Sequence, residues 1–303
     1  MHNSQFPWLR LEQESPVELE DSFYWFLSNL EIHRFSFEHD PENKSTQTLF
    51  VWLPFNEWSV RDQRNLVQSL ILLAKPFELT LPACKWIQVK DEDWSLSWKK
   101  SWKPDPIGKS VLILPAWLDV PGKFLERKII RLDPGYAFGT GSHPSTRLCI
   151  EALDNDPPVG KTIADLGCGS GILSLTALKL GAKCTYSVDT DSLAISATRI
   201  NFDLNKFPEN LFNVSLGSIE ELEKNIPEKK IDVILCNILA PVIKSLGPDF
   251  EKIIGCKGKV ILSGLLVDQI KELQDFFLPL GWQVVEIKTK DQWALMVLAL
   301  QSY

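Results

Sequence analysis

The chain has 303 residues, with 32 Lys+Arg against 39 Asp+Glu for a net charge of −7, and is 45% hydrophobic and 23% charged. This is the make-up of a globular chain and excludes disordered, collagen-like and disulfide-scaffold classes. The length suits about two domains, and the acidic balance argues against a general nucleic-acid binder, which needs a clustered Lys/Arg surface. A basic protein partner fits it better. The six cysteines form no C-x-x-C pair, so neither a metal cluster nor a redox pair is expected. The start has no apolar leader core, and no run approaches the roughly 18 apolar residues of a membrane helix. A cytoplasmic protein with free thiols is expected.

In chain order, the first part reads as an extended start (Trp8–Glu12), a helix (Pro16–Leu30), two strands (Ile32–Phe37 and Thr48–Leu53), a helix (Ser59–Ala74) and a strand (Trp86–Lys90). That βαββαβ order predicts a split two-helix sandwich. Its first 40 residues carry eight acids against Arg10 and Arg34, a solvated acidic face or a surface for a basic partner. Nine of the 11 tryptophans lie at or before Trp117, whereas the first glycine is Gly108. Together with Pro104, Pro106, Pro115 and Pro121, this shift marks a domain boundary within residues 90–125.

Beyond it, strands fit Thr162–Leu166, Lys183–Val188, Phe212–Leu216, Val233–Cys236 and Lys259–Ser263. They alternate with helices over Ile172–Leu180, Ser192–Asn205, Ile219–Asn225, Val242–Ile254 and Val267–Leu278. The last two strands, Gln283–Thr289 and Trp293–Ala299, are joined by three residues, too few for a crossover helix, so they form an antiparallel hairpin. The predicted fold class is α/β: a doubly wound, mostly parallel sheet closed by an antiparallel hairpin, the class I methyltransferase layout.

The strand ending Ile163-Ala164-Asp165-Leu166 runs into Gly167-Cys168-Gly169-Ser170-Gly171 and then a helix. Glycines at 167, 169 and 171 let the backbone pass close to a ligand, with free N–H groups at the helix start behind them. A dinucleotide fingerprint would need glycine where Ile172 stands. Asp189, at the end of the next strand, is placed to accept both ribose hydroxyls of an adenosine, while Asp191 caps the following helix. Asn237 ends the fourth strand, at the side of an open α/β sheet that carries the site. Its side-chain carbonyl could hold a neutral amine; the side chain could instead cap the helix that follows. The stretch from Leu132 to Arg147, with Tyr136, Phe138, Thr140 and His143, reads as an ordered functional loop over the strand ends. His143 is the one candidate general base near neutral pH, although His-Pro is also a common turn element.

Four segments, DPGYAFGTGSHPSTRLC, ADLGCGSGILSLTALKLGA, VDTDSLAISATRIN and LCNILAPVI, occur in the order and spacing of the ribosomal protein L11 methyltransferases. DWSLSWKKSWKP followed by LILPAW resembles that family's interdomain segment. The resemblance is strong over residues 85–300 and rests on element order alone before them.

It implies a small ferredoxin-like α+β substrate-recognition domain (1–90), an interdomain linker (91–125) and an S-adenosylmethionine-binding catalytic domain (126–303). Further implications are methylation of α-amino and lysine ε-amino groups of ribosomal protein L11, and action as a monomer with no membrane and no nucleic-acid substrate. Cofactor positions carried over are Phe138, Thr140, Thr146, Gly167, Gly169, Gly171, Asp189 and Asn237, with Asn237 also catalytic; no metal is implied. The chain departs from the family at Ser145, Thr190 and Ser192 without losing a group the cofactor needs. An S-adenosylmethionine enzyme acting on another protein or a small amine would share every one of these residues.

Overall fold

The computed structural model of the chain describes residues 8–30, 32, 34–39, 43, 45–77, 79–89, 102–133, 141, 143–226 and 231–300. The chain forms two compact units, Met1–Trp102 and Lys103–Tyr303.

In the first unit, β1 (Trp8–Pro16), α1 (Glu20–Asn29), β2 (Phe35–His39), β3 (Thr46–Pro54), α2 (Val60–Ala74) and β4 (Lys85–Val89) follow the βαββαβ succession. The four strands are antiparallel in the order β2-β3-β1-β4. Along β1 the buried positions alternate, Leu9, Leu11, Gln13 and Ser15, as a strand with one face on a core requires. Phe23 and Leu27 of α1, and Leu66 and Leu70 of α2, complete that core with Leu49 and Val51. A reciprocal Ser59–Asp62 capping box starts α2, satisfying two backbone donors that the first turn cannot pair.

The second unit opens with a three-stranded sheet: β5 (Asp105–Ile107), β6 (Val111–Pro115) and β7 (Lys128–Leu132), β5/β6 antiparallel and β6/β7 parallel. Two segments of the stretch expected as linker over 91–125, Asp105–Ile107 and Val111–Pro115, are strands of this sheet. The reason is the apolar run Val111–Pro115, every residue of which is buried. Helix α3 (Pro144–Asn155) follows. Near its end Asp154 accepts from the backbone N–H of Lys109 at 2.5 Å and of Ser110 at 3.0 Å, closing the β5–β6 turn. Near its start Arg147 pairs with Asp105.

The remaining elements are β8 (Thr162–Leu166), α4 (Ile172–Lys179), β9 (Cys184–Asp189), α5 (Ser192–Leu204), β10 (Phe212–Leu216), α6 (Ile219–Asn225), β11 (Ile231–Asn237), α7 (Ala240–Leu246), α8 (Phe250–Ile253), β12 (Ile254–Leu266), α9 (Ile270–Phe277), β13 (Trp282–Lys290) and β14 (Trp293–Leu300). Seven strands form one sheet in the order β10-β9-β8-β11-β12-β14-β13. The first five are parallel, and β14 is antiparallel to both its neighbours. That is the class I methyltransferase arrangement expected from the hairpin. Successive residues serve opposite cores: Ile163, Leu235 and Ile261 on one face, Ala164, Ile234 and Leu262 on the other. Both faces of this parallel sheet are therefore covered, which is why its strands read as unbroken apolar runs.

The helix expected over Val242–Ile254 is divided at Gly247-Pro248 into α7 and α8, since proline lacks the N–H that a continuous helix needs. No helix among the described residues is long and apolar enough to cross a membrane.

Candidate functional site

Strands leave β8 in two directions, β9 and β10 on one side and β11 and β12 on the other. In open α/β sheets such a switch point opens a crevice at the carboxyl ends of the strands. The glycine turn ends β8 and Asn237 ends β11, so the two motifs flank that crevice.

The turn hangs from β9: the N–H groups of Gly167 and Cys168 both donate to the Val188 carbonyl, at 2.9 and 3.1 Å. Gly167, Gly169 and Gly171 all have positive φ. At Gly167, with φ +73°, an added Cβ would also stand 2.5 Å from Cγ2 of Ile238, so neither the conformation nor the space admits a side chain.

Asp189 is engaged on both carboxylate oxygens. Oδ2 accepts from the Gly169 N–H at 2.9 Å and Oδ1 from the Asp191 N–H at 3.0 Å. Each oxygen keeps a further lone pair, so this anchored carboxylate can still accept hydroxyls. Asp191 itself caps α5 by accepting from the Leu193 N–H at 2.8 Å, the structural role expected for it.

Asn237 donates from Nδ2 to the Thr146 hydroxyl at 3.2 Å. Its Oδ1 is buried and has no hydrogen-bond partner among the described residues. Leaving a buried acceptor unpaired costs about 1–3 kcal/mol, so a site of this kind is complete only when a donor arrives. Thr146 is completely buried on the first turn of α3.

His143 is the N-cap of that helix. Its Nδ1 lies 2.7 Å from the Ser145 hydroxyl and accepts from the Ser145 N–H, while its ring packs edge-on against Trp293. The expected loop accordingly turns helical at Pro144, because proline at the first helical position loses no hydrogen bond. Phe138 and Thr140 lie outside the described residues.

Three further residues support the site without having been singled out from the sequence. On α5, Thr198 donates to the Gly169 carbonyl at 2.8 Å, and Asn201 donates to the Ser170 carbonyl at 2.9 Å while accepting from the Asp133 N–H at 2.8 Å. Asn205 brackets Arg131 by bonding its N–H and its carbonyl. The signal was present as polar residues at 198, 201 and 205, spaced to share one face of the helix.

Behind the turn, Asp165 is buried with Oδ2 held by the backbone N–H and hydroxyl of Ser174, and with Oδ1 unpaired among the described residues. Burial pushes its carboxyl up from 3.8 to about 6. A raised carboxyl pKa favours folding while the group is protonated, so this contribution falls as pH rises from about 4 to about 6. Asp165→Asn stays neutral. Its stability relative to the parent protein is therefore expected to rise across that window, by on the order of 3 kcal/mol in total, and then to level off. Urea titrations at several pH values check this, and a difference that is flat with pH sinks it. Burial likewise raises the thiols of Cys149, to about 12, and of Cys168 and Cys236, leaving no nucleophilic thiolate here.

The profile of the family described as "Ribosomal protein L11 methyltransferase (PrmA)" matches residues 7–301. A protein of that name from Parasynechococcus marenigrum (strain WH8102) is 52% identical over 281 residues, 93% of this chain and 97% of the relative. One from Prochlorococcus marinus (strain MIT 9313) is 48% identical over 289 residues, 95% of this chain and 96% of the relative. Among solved structures, a ribosomal protein L11 methylase from Lactobacillus delbrueckii subsp. bulgaricus is similar with a TM-score of 0.59 and 28% identity, covering 66% of this chain and 100% of that one. The chain belongs to the ribosomal protein L11 methyltransferase family.

Proposed function

We propose that this protein transfers methyl groups from S-adenosylmethionine to the α-amino and lysine ε-amino groups of ribosomal protein L11. The observation that carries the reading is the Asn237 carboxamide, tied through Nδ2 to Thr146 and with a buried acceptor that has no partner among the described residues and suits an N–H donor. The same crevice fits the cofactor: Gly167, Gly169 and Gly171 leave room beside the backbone and Asp189 offers an anchored carboxylate for ribose hydroxyls, while the Thr146–Asn237 pair, carried over with them, serves the amine. Phe138 and Thr140 complete the proposed cofactor residues. When bound, S-adenosylmethionine supplies a methyl group on a positively charged sulfur, open to a neutral amine in one displacement.

The protein's part is to present that amine uncharged and aligned. A lysine with a pKa of about 10.4 must lose its proton first, whereas an α-amine at about 7.7–8.0 is already partly neutral. A neutral carboxamide serves better than a carboxylate, because a negative charge beside the amine would stabilise its protonated form. Asn237 Oδ1 accepts one N–H and turns the nitrogen lone pair away from itself, a positioning effect. Water takes the displaced proton. The Nδ1 contact of His143 with Ser145 supports a capping role for this imidazole rather than one as the base.

The first unit, whose strand order supports a ferredoxin-like sandwich, is assigned to gripping the protein substrate, with the boundary at Trp102/Lys103. We read the protein as a cytoplasmic monomer. A nucleic-acid substrate does not fit, since Ile238-Leu239-Ala240 offers no aromatic ring to stack a flipped base.

The test is the intact mass of purified ribosomal protein L11 after incubation with this protein and S-adenosylmethionine. Mass is expected to rise in methyl-sized steps with the parent protein and not with Asp189→Ala. Bound cofactor without any mass change would turn the substrate assignment to another protein or a small amine.

A further inference from the structure

In the register of the sheet, Asn237 at the end of β11 lies beside Ser263 of β12. On its other edge β12 pairs with β14, and there the register shifts between Leu262 and Leu265, so that Ser263 and Gly264 form a bulge. Bulges beside active sites commonly re-aim what they touch, and this one touches Ser145 and Ile238, the chain neighbours of Thr146 and Asn237.

Ser263 is fully buried, and its hydroxyl lies 3.1 Å from the carbonyl of Ala294 and 3.1 Å from the carbonyl of Ser145, the residue before Thr146. It therefore ties the first turn of α3 to the sheet. Gly264 has φ +77°, and a Cβ there would stand 2.6 Å from the carbonyl oxygen of Ile238, 3.0 Å from its carbonyl carbon and 3.1 Å from its nitrogen. The peptide that follows Asn237 rests directly on this glycine. From the opposite side Gly167 leaves space for the Ile238 side chain, as its own Cβ would lie 2.5 Å from Ile238 Cγ2. Ile238 is thus seated between a glycine of the turn after β8 and a glycine of β12, and its backbone has little room to turn.

We propose that the Ser263–Gly264 bulge is a positioning element for the reaction, setting the Asn237 carboxamide through Ile238 on one side and through Ser145 and Thr146 on the other. Neither residue touches a reacting group. The proposal rests on the reading of Asn237 as the group that orients the amine.

The experiment uses the full chain carrying Ser263→Ala or Gly264→Ala. In both, kcat for methyl transfer to ribosomal protein L11 is expected to fall about tenfold to a hundredfold, the loss that a misplaced positioning group brings, with S-adenosylmethionine affinity by calorimetry unchanged. The double variants carrying Asn237→Ala as well should lose no more than Asn237→Ala alone, because both changes act through that side chain. Ser263→Thr keeps the hydroxyl and is expected to recover activity. If Gly264→Ala does not fold, Ser263→Ala, which removes a single oxygen, carries the test.

A second readout is independent of turnover: the side-chain amide resonances of Asn237, identified by their absence from Asn237→Ala. They should shift in folded Ser263→Ala. Unshifted resonances, or losses that simply add to that of Asn237→Ala, overturn the positioning role. Shifted resonances with unaltered kcat leave the positioning intact and overturn the reading of Asn237 instead.

Discussion

Asn237→Ala is expected to lower kcat for methyl transfer by about a hundredfold or more, the scale of loss when a reacting group is no longer held in line, while S-adenosylmethionine binds as before. The separation follows from the geometry. The carboxamide donates to Thr146 and keeps an acceptor with no partner among the described residues, whereas the turn and Asp189 are joined to each other without its help. Alanine removes the acceptor and leaves those contacts in place.

Asn237→Asp sharpens the test. Its carboxylate could still accept an N–H, but it would stabilise the ammonium form of the substrate and raise its pKa. The rising limb of the pH–rate profile should then move to higher pH, with much of the rate recovered at the alkaline end. Steady-state kinetics over pH 7–10 together with calorimetry check both variants; an unchanged kcat in Asn237→Ala removes Asn237 from the mechanism.

Asp189→Ala is expected to weaken S-adenosylmethionine binding about a hundredfold. A hydrogen bond to a charged acceptor contributes about 1.5–3 kcal/mol, so losing two ribose contacts costs at least about 3 kcal/mol, and each 1.4 kcal/mol is tenfold. The same change frees the Gly169 N–H that Oδ2 accepts, so the glycine turn loses a strut together with the ribose contact. Asp189→Asn should be almost as weak, because one side of its amide would present N–H to a backbone N–H already there, either of Gly169 or of Asp191. Direct titration of each variant measures this. Affinity equal to that of the parent protein would remove Asp189 from the cofactor site and leave it as a brace of the turn.

The parts of this protein legible in its sequence are those whose signal is local. Asp191 announces itself as a cap because an Asp directly before an apolar-periodic run satisfies helix N–H groups wherever it occurs. The closing hairpin was legible because a join of three residues, Lys290–Gln292, is too short for a crossover helix and leaves adjacent strands no geometry except antiparallel. The turn at Gly167 was legible because a positive φ and a close approach both require glycine. The short strands β5 and β6 were not legible for a related reason: they sit among prolines and a glycine that read as punctuation, and their partners make them sheet.

What the tertiary structure alone decided are the contacts between residues far apart in the chain. Thr146 and Asn237 are 91 positions apart, and Ser145 and Ser263 are 118 apart. Nothing in the local pattern of either member marks it as half of a pair. Sequence placed Asn237 at a strand end and suggested an amine for its carbonyl. Only folding showed that the carboxamide donates to a buried threonine and that its acceptor has no partner among the described residues, because hydrogen-bond satisfaction belongs to the packed chain and not to a residue.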